Sequence, residues 1–363
     1  MSAGVVQLAD VSELRAHGTY PAVSVLAPVQ RRRPGNAEDP ILLRDLVDEA
    51  ARRVRAELGT RAGSEILERL DEAVATVDWR SPAESVAIFV APGESRVLEL
   101  PFTVRARVAI DQTFATRDLV RGIARNPRYR LLALGEQPSR LFGGQGSVLA
   151  ECHSGGFPCS RERVRGEPHS SRDYPMRNSR DEEQQRMFFR EVDRALGAVG
   201  EGDPLPLLVA GTERDLASFD EVTRHAARIV GRIEGNYEEA IPTDLVVRAA
   251  PLIDAYAASQ RAAIVGELVE AVGSGRGLVG VKAAWEAARA GRARVLLVED
   301  DFVYPAREVD GGLEPAGDAA APGVIDDAVD ELVEMVLSAG GEVVILDAGE
   351  LGEHGPAALL LRY

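Results

Sequence analysis

An arginine-rich stretch over residues 152–180 is the best candidate in the sequence for ligand chemistry. Its six arginines face only three carboxylates, those of Glu162, Glu167 and Asp173. Guanidinium groups bind phosphate through paired hydrogen bonds and stack on bases. Histidine and tyrosine in the same stretch could add stacking on unpaired RNA. The stretch predicts an RNA-binding loop, with a solvated surface loop as the alternative. The residues concerned are Arg161, Arg163, Arg165, Arg172, Arg177 and Arg180, with His169 and Tyr174.

A second candidate is the tripeptide Gly143-Gly144-Gln145, within LFGGQGSVLAE. Short β-rich runs flank it: RLLALG and PSRLFG before it, and SVLAE after it. Glycine supplies the positive φ that a chain reversal needs. The pattern therefore predicts that Gly143, Gly144 and Gly146 form the turn of a β-hairpin.

No metal or cofactor is predicted. Cys152 and Cys159, with His153, are too few for a zinc site, which needs about four ligands. An oxidisable pair or a chance spacing fits them better. The run GRGLVG, 275–280, matches a dinucleotide-binding pattern, but it follows a predicted helix instead of a strand. It is interpreted as a flexible link between helices, and no phosphate-binding lysine motif of the Walker type occurs.

Each of two charged clusters could bind a ligand or could simply be part of the protein surface. Arg31, Arg32 and Arg33 follow a predicted strand, and they either touch RNA phosphate or balance nearby acids. Glu299, Asp300 and Asp301 end another predicted strand, where catalytic or metal-binding carboxylates often gather. Because they lie in an acidic segment, a solvated turn is favoured for them.

The composition is that of a globular protein, with 45% hydrophobic and 28% charged residues. The net charge is −16, yet Glu299 to the C-terminus holds 16 acidic and 2 basic residues, which leaves the preceding residues near −2. The first two thirds can therefore carry basic patches that face phosphate. No membrane span or export signal is expected, and the two cysteines fit a reducing cytoplasm.

Helix-like and strand-like runs alternate along the chain, which predicts an α/β or mixed α+β fold. DPILLRDLVDEAARRVRAEL, 39–58, has a helical apolar period, and SVAIFVAP, 85–92, is typical of a buried strand. Helices are also expected over SFDEVTRHAARI, 218–229, and over a long run from Pro242 that Pro251 should kink or split. Three domains are predicted, over 1–128, 129–250 and 251–363.

The order of these runs resembles the archaeo-eukaryotic class-1 release factor and Pelota superfamily, in its bacterial branch, which includes Balon-like hibernation factors. ESVAIFVAPGES and LPFTVRARVAIDQTF look like strands of the family's N-terminal domain. LLALGEQPSRLFGGQGSVLAE looks like the hairpin that opens its middle domain. GVKAAWEAARAGRARVLLVEDDF is similar to its L7Ae-like C-terminal α/β/α domain. The resemblance covers nearly the whole length.

The same resemblance argues against hydrolysis. In the family, a catalytic Gly-Gly-Gln helps water attack the ester of peptidyl-tRNA from a long loop after this hairpin. The matching stretch here, 152–181, lacks the tripeptide, so Gly143-Gly144-Gln145 is interpreted as the hairpin turn. The turn at 57–66 also lacks the family's stop-codon-reading Asn-Ile-Lys-Ser.

The resemblance implies a cytoplasmic, ribosome-associated protein that occupies the vacant A site without hydrolysis, in hibernation or ribosome rescue. The arginine-rich stretch would meet ribosomal RNA, and the acidic C-terminal domain would meet a translational GTPase or the ribosomal stalk. Two alternatives stay open: a peptidyl-tRNA hydrolase that uses Gln145, and a stress-related RNA- or protein-binding module without a ribosomal role.

Overall fold

The computed structural model describes residues 5–16, 19–29, 38–79, 81, 83–135, 138–160, 174–317, 323–325 and 327–363. Contacts divide them into two units. Unit 1 holds Val23–Ile110 and Asn126–Tyr256, together with Val6; unit 2 holds Gln7–Ala22, Asp111–Arg125 and Ala257–Tyr363. This division does not test the three expected domains, so their boundaries stay a prediction.

Unit 1 contains a four-stranded sheet in the order β3-β2-β1-β4. β1 and β2 are buried almost throughout, and one face of the sheet packs on two helices through Val25, Ile88, Leu43 and Leu70. The first of these helices has a non-helical residue at Gly59, with φ 76°. The bounds are β1 Ala22–Pro28, α2 Glu38–Ala62, α3 Ser64–Ala75, β2 Ser85–Ala91, β3 Glu94–Leu100 and β4 Arg107–Asp111.

A second sheet of unit 1 has five strands in the order β7-β6-β5-β8-β9. β5, β6 and β7 are antiparallel neighbours, whereas β5, β8 and β9 run parallel. Phe189 and Leu196 of α5 cover one face, and Leu245 and Ala249 of α7 cover the other. The bounds are β5 Tyr129–Ala133, β6 Arg140–Gln145, β7 Val148–Glu151, α5 Tyr174–Gly200, β8 Leu207–Gly211, α6 Glu213–Asp220, β9 Ile229–Glu234 and α7 Pro242–Gly273.

Unit 2 is built on a four-stranded sheet in the order β10-β15-β11-β14. β11 pairs parallel with β14 and antiparallel with β15, and Leu297, Leu346 and Leu360 share its core. The bounds are α1 Leu8–Arg15, α4 Arg117–Arg125, β10 Gly277–Val279, α8 Val281–Arg289, β11 Ala293–Glu299, β12 Ala306–Val309, β13 Gly312–Pro315, α9 Ala328–Ser338, β14 Glu342–Leu346 and β15 Ala357–Leu361.

The mixed α+β class is confirmed, and two local expectations are wrong. The helix expected over 218–229 lies earlier, at Glu213–Asp220, because the Thr212 hydroxyl caps it by accepting from the backbone N–H of Asp215. Pro251 lies inside α7, which continues as one helix, so no split occurs there and a kink at Pro251 stays a prediction. GRGLVG is not a flexible link, since Gly277–Val279 forms an edge strand on β15. None of the described helices is long and apolar enough to cross a membrane.

Candidate functional site

The tripeptide Gly143-Gly144-Gln145 is the end of strand β6, so its expected placement in a turn is wrong. Gly143 pairs with both Arg130 and Ala150, which places it in the middle of three strands. The chain reverses one residue later, at Gly146, whose φ is 52°. Glycine also adopts extended backbone, and here the sheet pairing decides between the two conformations.

Gln145 is fully buried, with 0% of its surface exposed. Its Oε1 accepts a hydrogen bond from the backbone N–H of Val6 at 3.0 Å. Its Nε2 donates to the carbonyl oxygen of the same residue at 3.1 Å. The amide therefore pairs with Val6 as a strand neighbour would, and it presents no group to a water molecule outside.

Close packing explains the glycine before it. A Cβ on Gly144 would lie 2.3 Å from the ring of Tyr129, whereas a Cβ on Gly143 would meet only Cys152 Sγ at 3.8 Å. Burial raises the pKa of Tyr129 to about 12. Among the described residues, no group hydrogen-bonds to the Tyr129 hydroxyl. Only one of the two glycines is thus required by a neighbour.

The arginine-rich stretch lies largely outside the described residues. This applies to Arg161, Arg163, Arg165, His169 and Arg172, and also to Arg31, Arg32 and Arg33. Tyr174, Arg177 and Arg180 lie in the first turns of α5, so their expected placement in a loop is wrong. The start of a helix was missed there because the sequence from Tyr174 is polar, although a proline in the first turn is typical of a helix start.

The described residues fix both ends of this stretch to unit 1. In its first residues, Cys152 N–H donates to Leu141 O at 2.8 Å, and Ser139 and Cys159 exchange two backbone hydrogen bonds of 2.8 and 2.9 Å. After it, Gln185 Nε2 donates to Asp215 Oδ1 at 2.6 Å, which ties α5 to α6. The described residues on either side of 161–173 are therefore tied to unit 1.

The two cysteines are free thiols, each half-buried. Burial raises the pKa of both Cys152 and Cys159. A thiol with a raised pKa is a poor nucleophile and a poor metal ligand. Within the part of the chain that the structure describes, no three His, Cys, Asp or Glu residues gather as a metal site would require.

The acidic cluster after β11 is an ion-pair site, and the expected solvated turn is wrong for its central member. Asp300 pairs with Arg121, and its Oδ2 lies 3.1 Å from Arg125 Nη2. Asp301 Oδ1 accepts from Arg121 Nη2 at 3.1 Å and stays largely exposed. Glu299 Oε1 accepts from the backbone N–H of Leu351 at 3.2 Å. The carboxylates are thus held by cations of α4 and by backbone.

A concave pocket of about 700 Å³ lies in unit 2, at the start of α8. Phe302 and Tyr304 line it, with their ring centroids 6.1 Å apart. Lys282, the sole lysine of the sequence, lies at the same pocket. Sequence reasoning missed this site, although the solitary lysine among 42 basic residues was a readable signal.

Residues 128–292 match the model of bacterial archaeo-eukaryotic release factor family 3. The resemblance found in the sequence is confirmed. The matched segment runs from β5 to α8, and so includes the Gly143-Gly144-Gln145 strand, both ends of the arginine-rich stretch and Lys282. It spans just under half of the chain.

Solved structures of similar proteins have low identity. Pelota of Archaeoglobus fulgidus is 16% identical, with 100% of this chain and 94% of that one covered and a TM-score of 0.35. Archaeal Pelota from a model of ribosome-bound Pelota and ABCE1 is 13% identical, with 100% and 96% covered and a TM-score of 0.43. Dom34 of S. cerevisiae is 12% identical, with 79% and 77% covered and a TM-score of 0.41. No curated protein matches the chain.

Proposed function

We propose that the protein associates with ribosomes as a release-factor-like protein that does not hydrolyse peptidyl-tRNA. The family match over residues 128–292 supports the ribosomal part of this proposal. The buried Gln145 carries the second part, because both ends of its amide are already bound to Val6. A group that positions water for attack must reach the reacting ester.

The arginine-rich stretch is the proposed RNA contact. Its two ends are anchored to the second sheet of unit 1, so arginines between them would be presented from a rigid support. The vacant A site is the proposed position, with the stretch towards the peptidyl-transferase centre. In this position the protein would block the site in dormant or stalled ribosomes.

Co-sedimentation of the purified protein with vacant bacterial ribosomes over a salt series tests the proposal. We expect stoichiometric binding that tRNA in the A site blocks. Binding should weaken steeply with salt, since each phosphate contact releases counterions. Absence of binding at low salt would contradict the ribosomal role and favour a stress-related binding module.

Two triple variants distinguish RNA contacts made by the arginine-rich stretch from a general effect of removing positive charge. Changing Arg161, Arg163 and Arg165 to Gln should lower the slope of log K against log salt by about 2 to 3. The matched control changes three exposed arginines of unit 1 outside the stretch, Arg190, Arg194 and Arg214, and should leave most of that slope. Equal effects of the two variants would refute the assignment of the stretch.

A peptidyl-tRNA release assay tests the missing hydrolysis. The unmodified protein should release no more peptide than a blank reaction. Release that disappears in Gln145→Asn would revive the hydrolase alternative, and it would require the side chain to leave its buried place beside Val6.

A further inference from the structure

The pocket at the start of α8 exposes aromatic surface in a concave place. Phe302 and Tyr304 are both partly exposed, and Val279 on the rim is 41% exposed. Pro356 and Ala357 complete the apolar wall. Partly exposed rings in a pocket of this size are typical of sites that accept an apolar side chain.

Lys282 is the cation at this pocket, and Glu286 of the same helix is a carboxylate at its wall. Lys282 is exposed, and the part of the chain that the structure describes offers its ammonium no ion pair. The first turn of α8 has no acidic residue, and its N-cap, Gly280, makes no side-chain bond. By contrast, the carboxylate of Asp327 caps α9 by accepting from Val329 N–H. Lys282 and the free helix start therefore both favour a carboxylate beside the rings.

We propose that this pocket binds a peptide segment of a partner protein in which a carboxylate side chain lies next to a large apolar side chain. The apolar side chain contacts Phe302 and Tyr304, and the carboxylate contacts Lys282. The proposal does not depend on ribosome binding, since it rests on residues of unit 2 alone.

A peptide fits these observations better than RNA. Among the described residues, Lys282 is the only cation that lines the pocket, and Glu286 lies at the same wall. From Glu299 to the C-terminus the chain holds 16 acidic and 2 basic residues, which repel a polyphosphate more strongly than a peptide with few carboxylates. A single carboxylate needs one cation, and Lys282 supplies it.

The solitary lysine makes a direct test possible. The full-length protein is mixed with the probe peptide acetyl-Gly-Asp-Asp-Phe-Leu-Gly-amide and a water-soluble carbodiimide. The carbodiimide adds to a peptide carboxylate to form an O-acylisourea. The Lys282 amine attacks its acyl carbon to form an amide, and the reagent leaves as a urea. Mass spectrometry then compares the adduct at Lys282 with that at the N-terminal amine. The control peptide, acetyl-Gly-Asp-Asp-Ala-Ala-Gly-amide, keeps the carboxylates and lacks the apolar side chains.

We expect the ratio of the Lys282 adduct to the N-terminal adduct to be about fivefold higher for the probe peptide than for the control peptide. This is the gain in affinity that one small apolar contact provides. Phe302→Ala should remove that excess. Val309→Ala, which truncates an exposed valine of the same unit outside the pocket, should keep it. Equal ratios for the two peptides would overturn the proposal.

Fluorescence anisotropy of the labelled probe peptide gives an independent measurement of its affinity. The variants for this measurement change Lys282, which is exposed. Lys282→Ala should weaken binding about fivefold, and Lys282→Arg should restore it, as expected for one exposed charge pair. An unchanged affinity in Lys282→Ala would contradict the proposed carboxylate contact. A ten-nucleotide oligouridylate that displaces the peptide through Lys282 would show that the pocket serves RNA, and would also overturn the proposal.

Discussion

The strand end at Gln145 and the pocket at Lys282 both bring glycine together with aromatic and polar side chains. They differ in how their polar groups are used. The Gln145 amide is buried and donates and accepts within the fold. Lys282 is exposed, and no described carboxylate pairs with it. A tripeptide associated with catalysis can thus have a structural role, as Gln145 does here. An exposed side chain outside any known motif, such as Lys282, can have no partner among the described residues.

The largest expected effect comes from Gln145→Ala. The substitution leaves the buried N–H and C=O of Val6 without partners, and each unsatisfied group costs about 1 to 3 kcal/mol. We expect the free energy of unfolding to fall by about 3 kcal/mol, measured by urea denaturation. Gln112→Ala, at an exposed glutamine, is the control and should stay within about 0.5 kcal/mol. A Gln145→Ala protein as stable as the control would break the comparison.

The two glycines of the tripeptide should behave differently. Gly144→Ala forces a Cβ to 2.3 Å from the Tyr129 ring, and we expect it to destabilise the protein by about 2 kcal/mol. Gly143→Ala meets only Cys152 Sγ at 3.8 Å and should change stability by less than about 0.5 kcal/mol. Urea denaturation of the two variants in parallel measures this difference. Similar losses in both would point to a shared backbone requirement instead of packing.

Tyr129→Phe should stabilise the protein by about 1 kcal/mol, because it removes a buried hydroxyl that no described group satisfies. It should also change the pH dependence. Burial raises the pKa of Tyr129 to about 12, so the unfolded chain loses this proton more easily than the folded one. Stability of the unmodified protein should therefore fall as the pH rises from about 10 towards 12. Thermal unfolding across that range should show a weaker fall in Tyr129→Phe, and an identical fall would contradict the assignment.

The smallest expected effect on stability is that of Lys282→Ala. Because the described residues give the ammonium no partner, its loss should change the free energy of unfolding by less than about 0.5 kcal/mol. Urea denaturation beside Gln145→Ala provides the direct contrast. A loss above about 1 kcal/mol would mean that Lys282 supports the fold, and would weaken its assignment to binding.

Periodicity predicted most elements. The long apolar period from Asp39 is α2, and SVAIFVAP is the buried strand β2. Failures came where a local contact outweighed the pattern. Because Thr212 caps α6, this helix begins earlier in the chain than expected. Because part of GRGLVG pairs with β15, it forms a strand. For the site, the charge of Glu299–Asp301 was readable, but their pairing with the arginines of α4 was not, because those arginines lie about 180 residues away in the chain.

The sequence by itself determined the mixed α+β class and the family resemblance, because apolar period and turn residues are local properties. It also excluded a Gly-Gly-Gln from the stretch 152–181. Only the tertiary structure decided what Gln145 does, since its partner Val6 is 139 residues away. It likewise decided that Lys282 lies beside Phe302 and Tyr304, because the pocket forms only when separate elements pack around it.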